Sequence, residues 1–452
     1  MKAIVKMPPL ASQGPSLVRR LAVVALAASL FVPLPSHAIN WLILQGTEPP
    51  NSPKTFRPWG FVQLEYQSTN GTRLQAGPWQ GQPMFANLIG PQKDASSEWL
   101  IKRARVGARG LVPGLPALNY ALAVDAGTNA ATENATSVQL IDASLTYSLN
   151  PVLRLRAGQF KTPGSDEGLQ PAYRRDYVNT SQVVNQLINE TFFNGDGAAP
   201  NTPNRPNGAR SIYHDIGIQL FGVLPQGGKQ WEHTYAVMVG NGNGIARPDN
   251  NAYKDLYLYW STERIFGGKG GKRDGLKLFG WWQQGMRTLT EAGAAAGNYL
   301  RTRYGGGAVL RHKRYRVSGE LIGAEGMIVN GTDGGAVPGH LDNAGNRLAS
   351  YNLLPDGEAN GWYLEGGFEI LSNLELDLRF DRLNRGTESR ATERRFDTWT
   401  LGLQYHIDTR WRLMANYQWR DAKAPGLTNS AVPNRILDGF DDLVAVQIQA
   451  VY

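Results

Sequence analysis

Residues 443–452 read Leu443-Val444-Ala445-Val446-Gln447-Ile448-Gln449-Ala450-Val451-Tyr452. Val444, Val446, Ile448, Ala450 and Tyr452 fall on one side of an extended chain; Ala445, Gln447 and Gln449 fall on the other. Successive side chains of a strand point to opposite faces, so this alternation makes a strand with one apolar side. In a soluble sandwich the apolar side would meet a core. In a membrane barrel it meets lipid, and the polar side meets water.

The same two-residue period recurs upstream. Leu374, Leu376, Leu378 and Phe380 alternate with Glu375, Asp377, Arg379 and Asp381. Trp411, Leu413, Ala415, Tyr417 and Trp419 alternate with Arg412, Asn416, Gln418 and Arg420, and Ile141, Ala143, Leu145 and Tyr147 with Asp142, Ser144 and Thr146. A face of four charged side chains opposite a face of leucines has no place inside a sandwich. Such segments predict strands near 59–67, 98–110, 117–125, 137–148, 151–161, 213–223, 231–241, 253–265, 275–287, 299–311, 314–324, 360–371, 373–384, 396–407, 410–420 and 442–452. About 16 strands is an even number within the range of bacterial barrels. The connections then alternate in length. Long ones fall at 68–97, 162–212 and 325–359, while 149–151, 311–314, 371–373 and 407–410 are brief. Membrane barrels sort their loops this way, with short turns at one rim and long loops at the other. The expected fold is all-β, a transmembrane antiparallel barrel over 59–452, with its long third loop folded into the lumen.

The first 38 residues stand apart. Lys2, Lys6, Arg19 and Arg20 precede an apolar run from Leu21 to Leu34, and Ser36-His37-Ala38 ends it. That is the layout of a cleaved signal peptide, residues 1–38. The run is interrupted by Pro33 and is shorter than the roughly 20 residues of a spanning helix. Residues 39–58 would then form a periplasmic segment ahead of the barrel. Export implies a bacterial outer-membrane location, with lipid as the surrounding partner. Cleavage lowers the net charge to 42 basic against 38 acidic residues. No long Lys/Arg run points to nucleic acid. The absence of cysteine rules out disulfides, thiol catalysis and zinc–thiolate sites.

If the apolar faces meet lipid, the opposite residues line the lumen. Arginine dominates them: Arg103, Arg105 and Arg109; Arg154 and Arg156; Arg301, Arg303, Arg314 and Arg316; then Arg379, Arg412 and Arg420. The acids on the same faces are fewer: Glu65, Asp125, Asp142, Asp215, Glu320, Glu375, Asp377 and Asp381. Stacked cations in a narrow, low-dielectric tube raise the local concentration of anions, and rings of Arg or Lys are how anion pores select. Arginine ladders also line general porins, where paired acids make a transverse field. The connection 162–212 is too long for a simple linker. It carries Arg174 and Arg175 and an apolar stretch, Val183–Ile188, so it predicts a constriction; an exposed surface loop is the alternative.

Two motifs add a resemblance. Lys102-Arg103-Ala104-Arg105-Val106-Gly107 resembles the R-R-A-R-hydrophobic-G segment of the phosphate-selective porin O and P family. Leu155-Arg156-Ala157-Gly158-Gln159-Phe160-Lys161-Thr162-Pro163, with Glu167 beyond it, is similar to that family's G-Q-F-K-x-P segment. The resemblance implies a 16-stranded barrel, a homotrimer, and a pore for small anions, phosphate among them, constricted by the third loop. It carries Arg103, Arg105, Arg156 and Lys161 over as pore or constriction residues. Lys102 stands where the family has an arginine, and lysine is sparse in the later lumen, so phosphate preference stays open. The C-terminal strand ending on Tyr452 likewise resembles the closing strand of outer-membrane barrels.

Signals for catalysis are weak. Beyond residue 38 there are five histidines, His214, His233, His312, His340 and His406, none at metal-ligand spacing, and there is no G-x-S-x-G. Gly267-Gly268-Lys269-Gly270-Gly271-Lys272 lacks the phosphate-loop frame and reads as a turn. No cofactor, metal site or enzymatic activity is expected. A general or cation-selective porin, or a plugged barrel serving as enzyme or adhesion scaffold, remains as the alternative to an anion channel.

Overall fold

In the computed structural model the described residues are 40–48, 53–69, 75–76, 80, 97–132, 137–193, 209–225, 230–245, 247–268, 270–290, 295–329 and 353–452. The signal peptide expected over 1–38 lies outside them. So do most of the connection 68–97, the stretch 194–208 and the middle of the connection 325–359.

Sixteen strands close one barrel. They are β1 (Arg57–Thr69), β2 (Ser97–Val112), β3 (Leu115–Ala126), β4 (Val138–Ser148), β5 (Arg154–Lys161), β6 (His214–Pro225), β7 (Trp231–Gly240) and β8 (Asp255–Gly267). The rest are β9 (Asp274–Thr290), β10 (Ala296–His312), β11 (Tyr315–Glu325), β12 (Glu358–Leu371), β13 (Leu374–Arg385), β14 (Arg394–His406), β15 (Trp411–Lys423) and β16 (Leu443–Val451). Each pairs antiparallel with its neighbours in sequence, and β16 returns to β1 with Val62 opposite Ala450 and Thr69 opposite Leu443. Closure leaves no unpaired edge, the condition a sheet must meet to cross lipid.

Every segment expected as a strand is one, with shifted ends. β5 starts at Arg154 rather than 151 because the Asn150 side chain accepts from the backbone N–H of Val152 and Leu153, both at 2.8 Å, and turns the chain there.

Burial is inverted relative to a soluble protein. Leu378 is 48% exposed and its neighbour Asp377 is 0% exposed; the same holds for Leu401 beside Thr400 and Val446 beside Gln447. Apolar side chains cover the outside and polar ones fill the inside, as a barrel in lipid requires. Exposed Trp99, Trp231, Tyr315, Trp399, Trp411, Trp419 and Tyr452 add large aromatics to the outer surface.

Two of the five register shifts among the paired strands break the alternation well inside the strands. Between β1 and β2, Gln63 pairs with Arg103 and Leu64 with Ile101, so Lys102 is the extra residue. Between β3 and β4, Ala123 pairs with Asp142 and Val124 with Leu140, so Ile141 is extra. Ile141 is therefore not on the lipid face its alternation predicts. It is fully buried against Ala131, Ala209 and Ile245.

Residues 40–48, ahead of the barrel, have structure of their own. They include a short helix, α1 (Trp41–Leu44), capped by Asn40, whose side chain accepts from Ile43 N at 3.1 Å. Trp41, Leu42 and Ile43 are buried in a cluster with Phe221, Val223, Ala236 and Phe279, which are inward-facing wall residues of β6, β7 and β9. The reason is the composition Trp-Leu-Ile-Leu, which loses free energy in water and regains it on an apolar inner wall.

Candidate functional site

The connection between β5 and β6 builds the site. It contains α2 (Asp166–Leu169), a 3-10 turn at Ala172–Arg174 and α3 (Gln182–Leu187). Ser181 organises it: its hydroxyl accepts from Val184 N at the start of α3, while its own N–H and hydroxyl donate to Glu167.

This loop lies against the inner wall of the strands on the far side. Ser165 Oγ donates to Glu320 of β11 at 2.9 Å, Gln182 N to Asp381 of β13 at 2.9 Å, and Val178 N to Asn416 of β15 at 2.7 Å. Asp166 pairs with Lys277 of β9, and Glu167 lies 3.4 Å from Arg379 of β13. Asp176 meets Lys272, with Arg311 at 3.3 Å and Arg316 at 3.2 Å. Burial alone would raise the Asp176 carboxyl, but Arg316, Lys272 and Arg311 outweigh it and hold it well below the usual carboxylate range. At the other end of the loop Glu190 behaves alike: burial raises it, and Arg287 and Arg301 more than offset that.

The sequence-predicted basic residues fall into four surroundings. Arg103, Arg105, Lys161 and Arg175 line one cavity, joined by Lys102, Arg210 and Arg379. Those seven cations face a single acid in the lining, Asp381. Arg103 donates to Gln63 at 2.8 Å, Arg105 pairs with Asp125 at 2.8 Å, and Lys161 donates to the carbonyls of Gly168 and Gln170 at 2.7 Å.

Arg109 and Arg156 point to the N-terminal segment. Arg109 donates to Leu44 O at 3.0 Å and lies 3.2 Å from Glu48; Arg156 donates to Thr146 at 3.0 Å and to Gln45 O.

A third group is held structurally. Arg301 lies 3.2 Å from Glu190. Arg303 donates to five carbonyls, those of Leu187, Thr302, Glu325, Gly326 and Met327, between 2.8 and 3.1 Å. Arg316 is enclosed by Asp176, Glu365, Glu375 and Asp377. These guanidiniums brace the loop against the wall, and their charge is already matched or spent on carbonyls.

The fourth group lies at the short-turn rim. Arg154 donates to Pro151 O at 2.6 Å. Arg314, expected in the lumen, sits exposed in the β10–β11 turn and borders a second cavity with Arg174, Arg311 and Arg412.

Alternation alone misses Lys102 and Arg210. Lys102 would face lipid by period two, and only the bulge brings it inward beside Arg103. Arg210 sits in the loop, where no periodicity exists. A charged residue at a lipid-facing register position was the one signal available for Lys102, because such placement is too costly to be real.

A closed sixteen-stranded barrel, apolar outside and charged inside, is the architecture of a bacterial outer-membrane porin channel. The chain resembles the phosphate-selective porin O and P family, whose model matches residues 84–207, a span that holds both quoted motifs and most of the loop after β5. Among solved structures it is similar to an anion-selective porin from Comamonas acidovorans, with 13% identity, a TM-score of 0.51 and 88% of this chain and 99% of that chain covered. It is also similar to OmpF of Salmonella typhi in complex with daunomycin, with 10% identity, a TM-score of 0.52 and 90% and 100% covered. At such identities these structures share the fold. Comparison with curated proteins finds no matching sequence.

Proposed function

We propose that this chain is a passive diffusion channel for small hydrophilic anions, phosphate among them, narrowed by the loop between β5 and β6. The observation that carries the reading is the cavity with seven Lys or Arg side chains against one acid. Cations concentrated in a low-dielectric tube raise the local anion concentration and repel cations. The planar guanidinium fork suits phosphate and carboxylate, and it stays charged at any working pH. The family description names phosphate, and the Comamonas acidovorans porin is described as anion-selective. A homotrimer, as the resemblance implies, and removal of residues 1–38 on export complete the proposal.

A general porin is the second reading, favoured by the ion pairing of Arg105 with Asp125 and of Arg316 with its carboxylates. Reversal potentials under a KCl gradient separate the two. The anion channel gives a potential of the sign set by chloride, and Lys102→Gln with Arg103→Gln and Arg105→Gln moves it toward zero. A wild-type potential near zero supports the general porin. A cation-selective potential overturns the proposal.

A further inference from the structure

A third cavity, of different chemistry, adjoins the basic one. Trp41 of α1, Trp59 and Phe61 of β1, Phe160 of β5 and Tyr173 of the loop line it. It shares Arg105, Lys161 and Ala172 with the basic cavity and Tyr173 with the cavity at the short-turn rim, so it lies between the two. Phe61 and Tyr173 meet with ring centroids 5.3 Å apart. Guanidiniums interleave with the rings: Arg105 stands 5.6 Å from the Phe61 centroid, and Arg156 stands 5.4 Å from that of Phe160 and 4.5 Å from that of Phe221.

Arg156 is wholly buried, and its Nε and Nη2 are used, but its Nη1 has no hydrogen-bond partner. Arg105 Nε is likewise buried and unpaired. A buried guanidinium N–H without an acceptor costs stability, and an acceptor from outside the chain would relieve that cost. The lining has one acid, Asp142, and it lies 3.4 Å from His214.

Resting on the anion-channel reading above, we infer that this cavity is a binding station for aromatic carboxylates of about benzoate size. A small inorganic anion gains nothing from five aromatic walls. A neutral arene leaves the guanidinium donors unpaired. An arene carboxylate satisfies both, with its ring against Trp59, Phe61 and Tyr173 and its carboxylate toward Arg156 and Arg105. Binding in a channel must also be weak enough to release, and a ring contact beside a charged donor supplies that intermediate strength.

The test is current block in planar bilayers by the full-length channel in KCl. Sodium benzoate, sodium acetate and benzylammonium chloride are added in turn, and the concentration that halves the chloride current is read for each. Benzoate is expected to act at about tenfold lower concentration than acetate, the gain from one aromatic contact, and benzylammonium not to block. Trp59→Leu shrinks the benzoate-to-acetate ratio, and Phe61→Leu serves if that variant gives no channel. Equal potency of benzoate and acetate in an anion-selective wild-type channel overturns this inference alone. Block by benzylammonium as strong as by benzoate overturns it too. A cation-selective reversal potential instead removes the reading beneath it.

Discussion

Asp176 in the loop after β5 and Arg316 on β11 stand with carboxylate Oδ2 3.2 Å from guanidinium Nε, both nearly inaccessible to solvent. The loop thereby reaches across the barrel to a guanidinium that three wall carboxylates also hold. The pair fixes where the loop lies, and with it the width of any passage.

Asp176→Asn tests that role. It removes the one charge that Lys272, Arg311 and Arg316 share, while Arg316 keeps Glu365, Glu375 and Asp377. Breaking a buried pair from one side costs about 3–5 kcal/mol. The expected result is a larger and noisier single-channel conductance, with the barrel still formed. Quiet, wild-type conductance would show that Ser165, Val178 and Gln182 hold the loop unaided.

Acidity should release the loop only at low pH. Against burial, Arg316, Lys272 and Arg311 hold Asp176 well below the usual carboxylate range, and Arg287 and Arg301 lower Glu190 from its ordinary value. A depressed carboxylate contributes stability that is complete above its unfolded value, about 3.9 for Asp and 4.3 for Glu. That contribution declines as pH falls below those values toward the folded ones. Conductance is therefore expected to stay steady from pH 7 to about 4.5 and to become unstable only below pH 4. Instability already at pH 5 to 6 would contradict this anchoring.

Two basic residues on opposite walls of the barrel should respond differently. Lys102 borders the basic cavity, whereas Arg303 is spent on five backbone carbonyls. Lys102→Gln is expected to lower anion-to-cation permeability with little effect on heat resistance. Arg303→Gln costs about 1–3 kcal/mol for each buried carbonyl left without a donor and should lower heat resistance. Reversal potential and thermal unfolding in detergent, measured on both variants, check the contrast.

The outer face can be tested by depth. Leu401 of β14 pairs with Leu378 of β13 midway along both strands, and both are exposed on the outside. Leu401→Arg places a charge where the lipid midplane should be, at a cost of about 2–4 kcal/mol. Refolding equilibria in lipid vesicles read the loss directly; a neutral effect would mean that this face does not meet hydrocarbon.

The barrel was legible in the sequence because lipid on one side and water on the other impose period two on every strand. Leu376 and Leu378 against Asp377 and Arg379 state both environments in four residues. The inward-facing positions were legible only where the period held, as for Arg103, Arg105 and Arg156. The bulges at Lys102 and Ile141 shift the phase by one residue; the charge of Lys102 at a lipid-facing register position is the one hint of the first, and nothing in local composition announces the second. Arg301, Arg303 and Arg316 read as lumen cations because alternation gives the face of a side chain and not its partner. Their partners come from the loop and from the β11–β13 wall, far away in sequence.

The segment ahead of β1 sets the last prediction. Asn40 donates to Thr234 of β7, Leu44 O accepts from Arg109, Gln45 O accepts from Arg156, and Glu48 N donates to Asn119 at 2.9 Å. Gly46, at φ +62, turns the chain where a Cβ would meet Ala121 at 3.3 Å. None of the sixteen strands includes these residues, so barrel closure does not depend on them. Replacing Trp41–Leu44 by four Gly or Ser residues removes three buried apolar side chains, each stabilising its burial by about 1.5–3 kcal/mol. The segment should then leave the inner wall. Two consequences follow: the lumen widens, and Arg109 and Arg156 lose carbonyl acceptors and gain the freedom to meet anions. Single-channel conductance and anion selectivity are both expected to rise, while heat resistance of the barrel falls only modestly. Unchanged conductance with a freely mobile segment, read by a spin label at position 41, would show that α1 lies beside the conducting path rather than in it.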